Sequence, residues 1–198
     1  MDFSALNDAM ASKQYEKIGD ICDNLLLQVA TEGIAYQDEW PYAIHLLGHL
    51  YISDTNSARF LWKSIPSSVK ENRPELAAAW KIGQRLWTRD YAGVHEAIRG
   101  FDWSPEAREF VSSLIDLYTK KMFELLQSAY STISIQDTSM FLGMSEDDAT
   151  NYVVERGSWD VDRVTGMLTV KKKAIATEQK LDSSKLQRLT EYVFHLEH

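Results

Sequence analysis

The sequence predicts a mainly α fold: stacked helical hairpins, then a small domain closed by a β-hairpin, then a C-terminal amphipathic helix. Three observations predict it. Apolar residues recur at three- and four-residue intervals through roughly the first 130 residues, the period of a half-buried helix. Prolines stand where helices begin. Alternating, β-branched sequence is confined to the C-terminal third.

In residues 14–30, "QYEKIGDICDNLLLQVA", Ile18, Ile21, Leu25 and Val29 fall on one face. In "DEWPYAIHLLGHLYI" the face is Ala43, Leu46, Leu47 and Leu50, with Tyr51 beside it. The pattern continues through "ARFLWKSI", "PELAAAWKIGQRLW" and "EAREFVSSLIDLYTKKMFELLQSAY". Pro41, Pro74 and Pro105 each fit a first helical turn, where the missing N–H is not needed. Ser104 is a good N-cap before Pro105, and Pro66 closes the helix ending "LWKSI". These cuts leave helices of about 10–20 residues with short connections, which suits antiparallel pairs. "KQYEKIGDI" at 13–21 and "RDYAGVHEA" at 89–97 share a basic residue, a Tyr two on and an aliphatic residue three further. Tyr15 and Tyr91 lie 76 positions apart, or two units of about 38, between the tetratricopeptide and HEAT periods. The middle unit, near "DTNSARFLW", lacks the Tyr. A TPR/HEAT-like array and a non-repetitive helical bundle both remain open.

From about residue 119 the character changes. "YTKKMFELLQSAYSTISI" reads as a helix running into a short strand, Thr132 to Ile135, and "QDTSMFLGM" as a short helix broken by Gly143. Ser145 and Asp148 form a capping pair opening "EDDATNYVVERG", with acids in the first turn and Gly157 as its C-cap. "WDVDRVTGMLTV" alternates, turns through "DRVTG" and returns. Helix, strand, helix, helix, hairpin is the order of a winged helix. In the tail, Ser184 and Gln187 form a second capping box, and Leu186, Leu189, Val193 and Leu196, with Tyr192 beside them, make an amphipathic stripe. The expected division is 1–118 for the helical array, 119–172 for the winged helix and 173–198 for the tail helix.

Composition limits the function. With Lys+Arg 21 against Asp+Glu 29 the net charge is −8, which lowers the prospect of nucleic-acid binding and favours protein partners. Within 137–170 seven acids face two Arg, and "EDDATNYVVERG", the helix that would enter a major groove, holds four acids and one Arg. Phosphates would be repelled there. "KKK" at 171–173 reads as a solvated helix start; a basic edge or localisation signal is the other reading. The one cysteine, Cys22, excludes an internal disulfide and suits a small buried residue in a reducing, intracellular protein. "MDFSALNDAM" has no signal-peptide pattern, and no apolar run approaches a membrane span.

No catalytic or cofactor constellation stands out. There is no phosphate loop, dinucleotide fingerprint or nucleophile elbow. His45 and His49 share the i, i+4 spacing of a zinc pair, but Leu46 replaces the Glu that would make it catalytic; they read as packing residues. "DVDRVTG" starts like a calcium loop, yet its twelfth position is Lys171. "SEDD" is accounted for as a helix start. The expectation is no catalytic residue, no metal and no cofactor.

A winged helix leaves a sheet edge that can accept a strand, and an amphipathic tail can enter a helical bundle. Taken with "EWPYAIHLLGHLYISDTNSARFLWKSIP", "LWTRDYAGVHEAIRGFDWS", "MFLGMSEDDATNYVVERG" and "LDSSKLQRLTEYVFHLEH", the chain resembles the PCI-domain family of the proteasome lid, the COP-nine signalosome and eukaryotic initiation factor three. Within it the resemblance is to the eighth and smallest signalosome PCI subunits, in a plant-like form. It implies a non-catalytic scaffold in the nucleus and cytoplasm, whose partners are other PCI and MPN subunits and, indirectly, cullin-RING ligases, with no nucleic acid and no membrane. In that family winged helices align edge to edge and C-terminal helices gather in a bundle. The zinc protease that removes a ubiquitin-like modifier from cullins sits on another subunit and needs an H-x-H pair, which this chain lacks. Carried onto this sequence, the edge is Trp159, Val161, Leu168 and Val170, and the bundle stripe Leu186, Leu189, Tyr192, Val193 and Leu196. Core packing is the other reading of the hairpin residues, and folding back on its own chain that of the stripe. Rival readings are the corresponding subunit of the proteasome lid or initiation factor three, a winged-helix DNA-binding regulator, and an adaptor binding peptides through residues 1–118.

Overall fold

The structure, a computed structural model, describes residues 2–31 and 40–171 and, in the tail, Gln187, Arg188, Thr190 and Tyr192–Phe194. Helices α1 (Ser4–Ala11), α2 (Ile18–Thr31), α3 (Tyr42–Tyr51), α4 (Thr55–Ser64), α5 (Ser67–Asn72), α6 (Pro74–Trp87) and α7 (Tyr91–Arg99) precede the long α8 (Pro105–Ala129). A single 3-10 turn, Tyr15–Lys17, separates α1 from α2, so the expected helix from residue 14 starts later. The short α5 after Pro66 and the N-terminal α1 had no clear periodic signal.

The repeat is written in the backbone. Lys13, Ser53 and Arg89 all adopt the left-handed conformation, with φ of 56°, 66° and 57°. At each, the same two bonds close the preceding helix: Lys13 N–H donates to Met10 O and Gln14 N–H to Ala9 O; Ser53 to Leu50 and Asp54 to His49; Arg89 to Leu86 and Asp90 to Arg85. This is a C-terminal helix cap. Asp54 and Asp90 then cap the next helices, accepting from Ser57 and Gly93 N–H at 3.0 Å each. The middle unit lacks the Tyr but keeps the turn, giving three helix–turn–helix pairs: α1/α2, α3/α4 and α6/α7. The structure is therefore a stacked-hairpin array.

Aromatic residues tie the pairs together. Tyr15 stacks on Phe110 of α8 at 4.6 Å and meets Tyr51 of α3 edge-on at 5.7 Å. Where α2 crosses α3 the backbones nearly touch: a Cβ on Gly48 would lie 2.8 Å from Gly19 N. Pro74 and Pro105 are the first residues of their helices, whereas Pro41 stands at the N-cap position of α3. Ser104 caps α8, accepting from Ala107 N–H at 3.3 Å.

Helix α8 passes through residues 118 and 119, so the array and the winged helix share it. Beyond it come β1 (Thr132–Ser134), α9 (Ile135–Leu142), α10 (Glu146–Gly157), β2 (Asp160–Asp162) and β3 (Met167–Thr169). Ile135, expected to end the strand, opens α9 because Ser134 caps it by accepting from Asp137 N–H. Gly143 ends α9 at φ 65° and Ser145 caps α10 as expected. The sheet is antiparallel in the order β1-β3-β2, with Ile133 and Val161 both opposite Leu168. Gly157 is not the left-handed cap; Ser158 is, at φ 52°. The glycine instead makes room, since a Cβ there would lie 2.5 Å from Trp159 Nε1 and 2.9 Å from Phe123 Cζ.

Candidate functional site

Burial decides what the winged-helix edge can offer. Trp159 is 2% exposed and Leu168 0%, Val170 is buried, and Val161 is half-buried against the core. Trp159 stacks on Phe123 of α8, with ring centres 5.5 Å apart. Leu168 lies on the middle strand, not at an edge. Trp159 holds the start of the hairpin to α8 and the other three face the core; alternation could not say which face of the hairpin turns inward. What reaches outward is the main chain of β2, a terminal strand whose two end residues, Asp160 and Asp162, are exposed. Lys171 pairs with Asp160 at 3.1 Å. The turn is tied by Asp162, whose carboxylate accepts from Val164 N–H at 2.9 Å and from the Thr165 hydroxyl at 2.8 Å; these bonds hold that carboxyl below the usual range.

The winged-helix part also carries exposed apolar side chains that the sequence reading passed over. Val164 at the hairpin tip, Met167 on β3, Met140 on α9 and Val154 on α10 are exposed. Their signal was an apolar residue on an otherwise polar helix face or turn. In the tail, Tyr192 is 65% exposed and Val193 54%, both in helical conformation. Leu186, Leu189 and Leu196, the remainder of the expected stripe, lie outside the described residues.

On α10 the exposed side chains include Glu146, Asp147, Asp148 and Glu155. The helix that would enter a DNA groove therefore presents four carboxylates and Arg156, whose guanidinium lies 4.9 Å from the Tyr152 ring centre. Phosphate would meet repulsion along its length.

Among the described residues, Asp23, His45 and His49 are the one group whose ligand atoms converge as a metal set would. His45 Nε2 lies 2.8 Å from Asp23 Oδ1 and 3.1 Å from His49 Nε2. A metal needs a lone pair on both Nε2 atoms. The buried Trp40 indole N–H donates to His45 Nδ1 at 3.4 Å, which puts the His45 proton on Nε2, where it donates to Asp23. The cluster is thus a hydrogen-bonded relay joining α2 to α3. Burial, and then the neighbouring His49, push His45 down to about 4 despite the carboxylate. Cys22 nearby is fully buried, its thiol pushed up to about 12 by burial.

His95 links the array to the winged helix. Its Nε2–H donates to the Phe141 carbonyl at 3.2 Å, and Arg99 donates to the carbonyl of Gly143. Burial lowers the His95 pKa. No helix among the described residues is long and apolar enough to cross a membrane.

The family described as CSN8/PSMD8/EIF3K matches residues 36–179. The chain is 66% identical over 198 residues to COP9 signalosome complex subunit 8 of Arabidopsis thaliana, covering 100% of each chain. It is 34% identical over 190 residues to the subunit 8 of Xenopus laevis, covering 96% of this chain and 95% of that one. Against the subunit 8 of Dictyostelium discoideum it is 27% identical over 202 residues, covering 100% and 98%. A helical-hairpin array that shares α8 with a winged helix, together with similarity of this extent, places the chain in a family: it belongs to the CSN8/PSMD8/EIF3K family.

Proposed function

We propose that the chain is a non-catalytic assembly subunit of the COP9 signalosome, working in the nucleus and cytoplasm. In this reading it joins other PCI and MPN subunits of the complex that removes a ubiquitin-like modifier from cullins, and so acts indirectly on cullin-RING ubiquitin ligases. One observation carries it: the similarity to signalosome subunits runs the whole length of the chain, tail included. The geometry supports it in two ways. A terminal strand, β2, is free to accept a neighbouring strand through its main chain, and the described tail residues keep Tyr192 and Val193 exposed. No nucleic acid or cofactor enters the proposal.

Affinity purification from cells tests it, comparing the full-length chain with a version ending at residue 172. The expected result is recovery of signalosome subunits by the full chain and their loss on truncation. Recovery of proteasome-lid or initiation-factor subunits instead would refute the choice of complex. Equal recovery of the signalosome by both versions would refute the role of the tail.

A further inference from the structure

Among the described residues, positive charge on this acidic chain is concentrated on one stretch of the helical array. Between Thr55 and Arg89 stand seven Lys or Arg and two Asp or Glu, an excess of five positive charges on a chain of net −8. The rest of the chain therefore carries an excess of thirteen negative charges. Arg59, Lys63, Lys81 and Arg89 are exposed, and none has an ion-pair partner among the described residues.

Aromatic residues are interleaved with these cations. Trp62 of α4 and Trp80 of α6 stack at 5.2 Å and 8°, with Lys70 Nζ 4.8 Å from the Trp62 ring centre. The Arg59 guanidinium lies 4.8 Å from the ring centre of half-exposed Trp87. Phe60 beside it is 70% exposed. A cleft of about 500 Å³ opens here, lined by Arg59, Trp80, Lys81, Gln84 and Trp87.

We propose that this α4–α6 face docks an acidic peptide segment of a partner polypeptide, its carboxylates on Arg59, Lys63 and Lys81 and its apolar side chains against Phe60 and Trp87. A guanidinium lying over an indole is already held in place, and its planar fork of N–H groups matches a carboxylate. Unpaired cations beside exposed aromatics match a chain of alternating acids and apolar residues. Single-stranded nucleic acid fits less well. Stacking of successive bases needs a row of open aromatic faces; here Trp62 and Trp80 cover each other, Lys70 lies over Trp62 and Arg59 over Trp87, which leaves Phe60 as the open ring of the patch. A long polyanion would also overlie the acidic remainder of the chain, whereas a short peptide covers the patch alone.

The test is fluorescence anisotropy of a labelled peptide of about a dozen residues, mixing Asp, Glu and Phe, titrated with the full-length protein. Saturable binding is expected, weakening with salt. R59E/K81E should weaken it at least about ten-fold, and R59K, which keeps the charge but loses the planar fork, about three-fold. Far-UV circular dichroism checks that both variants keep the wild-type fold, and R59K still decides the matter if R59E/K81E does not. No binding by the wild type, or binding by R59K and R59E/K81E at wild-type strength, would overturn the proposal. So would tighter binding of a single-stranded oligothymidine of equal charge.

Discussion

Replacing Gly48 by Ala tests the closest helix crossing in the array. A helix interior prefers Ala to Gly by about 1 kcal/mol, so propensity alone predicts a gain. The structure predicts the reverse. The new Cβ would meet Gly19 N at 2.8 Å and Ile18 Cγ2 at 2.9 Å, where ordinary contact begins at 3.4 Å. The first obstacle is backbone and cannot rotate away, so α2 and α3 must separate by 0.6 Å along a seam that buries Ile18, Cys22, Leu46 and Leu47. Overpacking of this kind costs about 1–3 kcal/mol. A backbone obstacle belongs in the upper half of that range, about 2–3 kcal/mol; net of propensity the loss is about 1–2 kcal/mol, a fall in melting temperature of roughly 2–8 °C for a chain of this size. Gly83→Ala is the control. There the nearest atoms are on the Trp80 side chain at 3.2 Å and Leu50 at 3.4 Å, so the propensity gain survives and stability should hold or rise. Urea and thermal unfolding followed by far-UV circular dichroism measure both. Gly48→Ala at or above wild-type stability, or Gly83→Ala falling as far, would refute the close-crossing argument.

Acid should loosen the α2/α3 relay. His45 is held at about 4, below its ordinary 6.5, so its contribution is full above pH 6.5 and is lost as pH falls toward 4. The gap is worth about 3 kcal/mol. Urea midpoints should therefore drop between pH 7 and 4.5, and His45→Leu should flatten that drop; an equally steep drop in the variant would sink the assignment. Gly143→Ala should be among the most damaging single changes, at about 3 kcal/mol or more. It forces Ala to φ 65° and sets a Cβ 2.2 Å from His95 Cγ. Amide hydrogen exchange should speed up in α9 and the start of α10, and wild-type protection there would count against the His95 link.

What the sequence made legible was local. Helical periodicity, Pro74, Pro105 and the caps Ser104 and Ser145 act within one or two turns, and each appears where its chemistry places it. The turns at Lys13, Ser53 and Arg89 were only half legible: they are closed by main-chain groups that any residue carries, so the middle one, without the Tyr, shows in the sequence only through its capping Asp54. Gly157 was misassigned because a helix-end glycine can serve conformation or clearance, and only the approach of Trp159 and Phe123 decides between them. Strand order was not legible either, since the central place of β3 depends on pairing with β1 more than thirty residues away. For the same reason Leu168 was expected at an edge it does not occupy. The basic face on α4–α6 passed unnoticed because its residues are spread over thirty-five positions and gather only when the two helices stack.

Helix α8 has a mechanical consequence. Its 25 residues form a rod about 37 Å long, anchored to the hairpin array at one end and to the sheet at the other. Whatever grips the sheet also aims the array. A tilt of only about 10° at the gripped end would swing the far end by about 6 Å over that length, enough to bring a surface into register with a neighbour or carry it out of reach. A kink in the middle of the rod would leave both ends folded and misdirect one relative to the other.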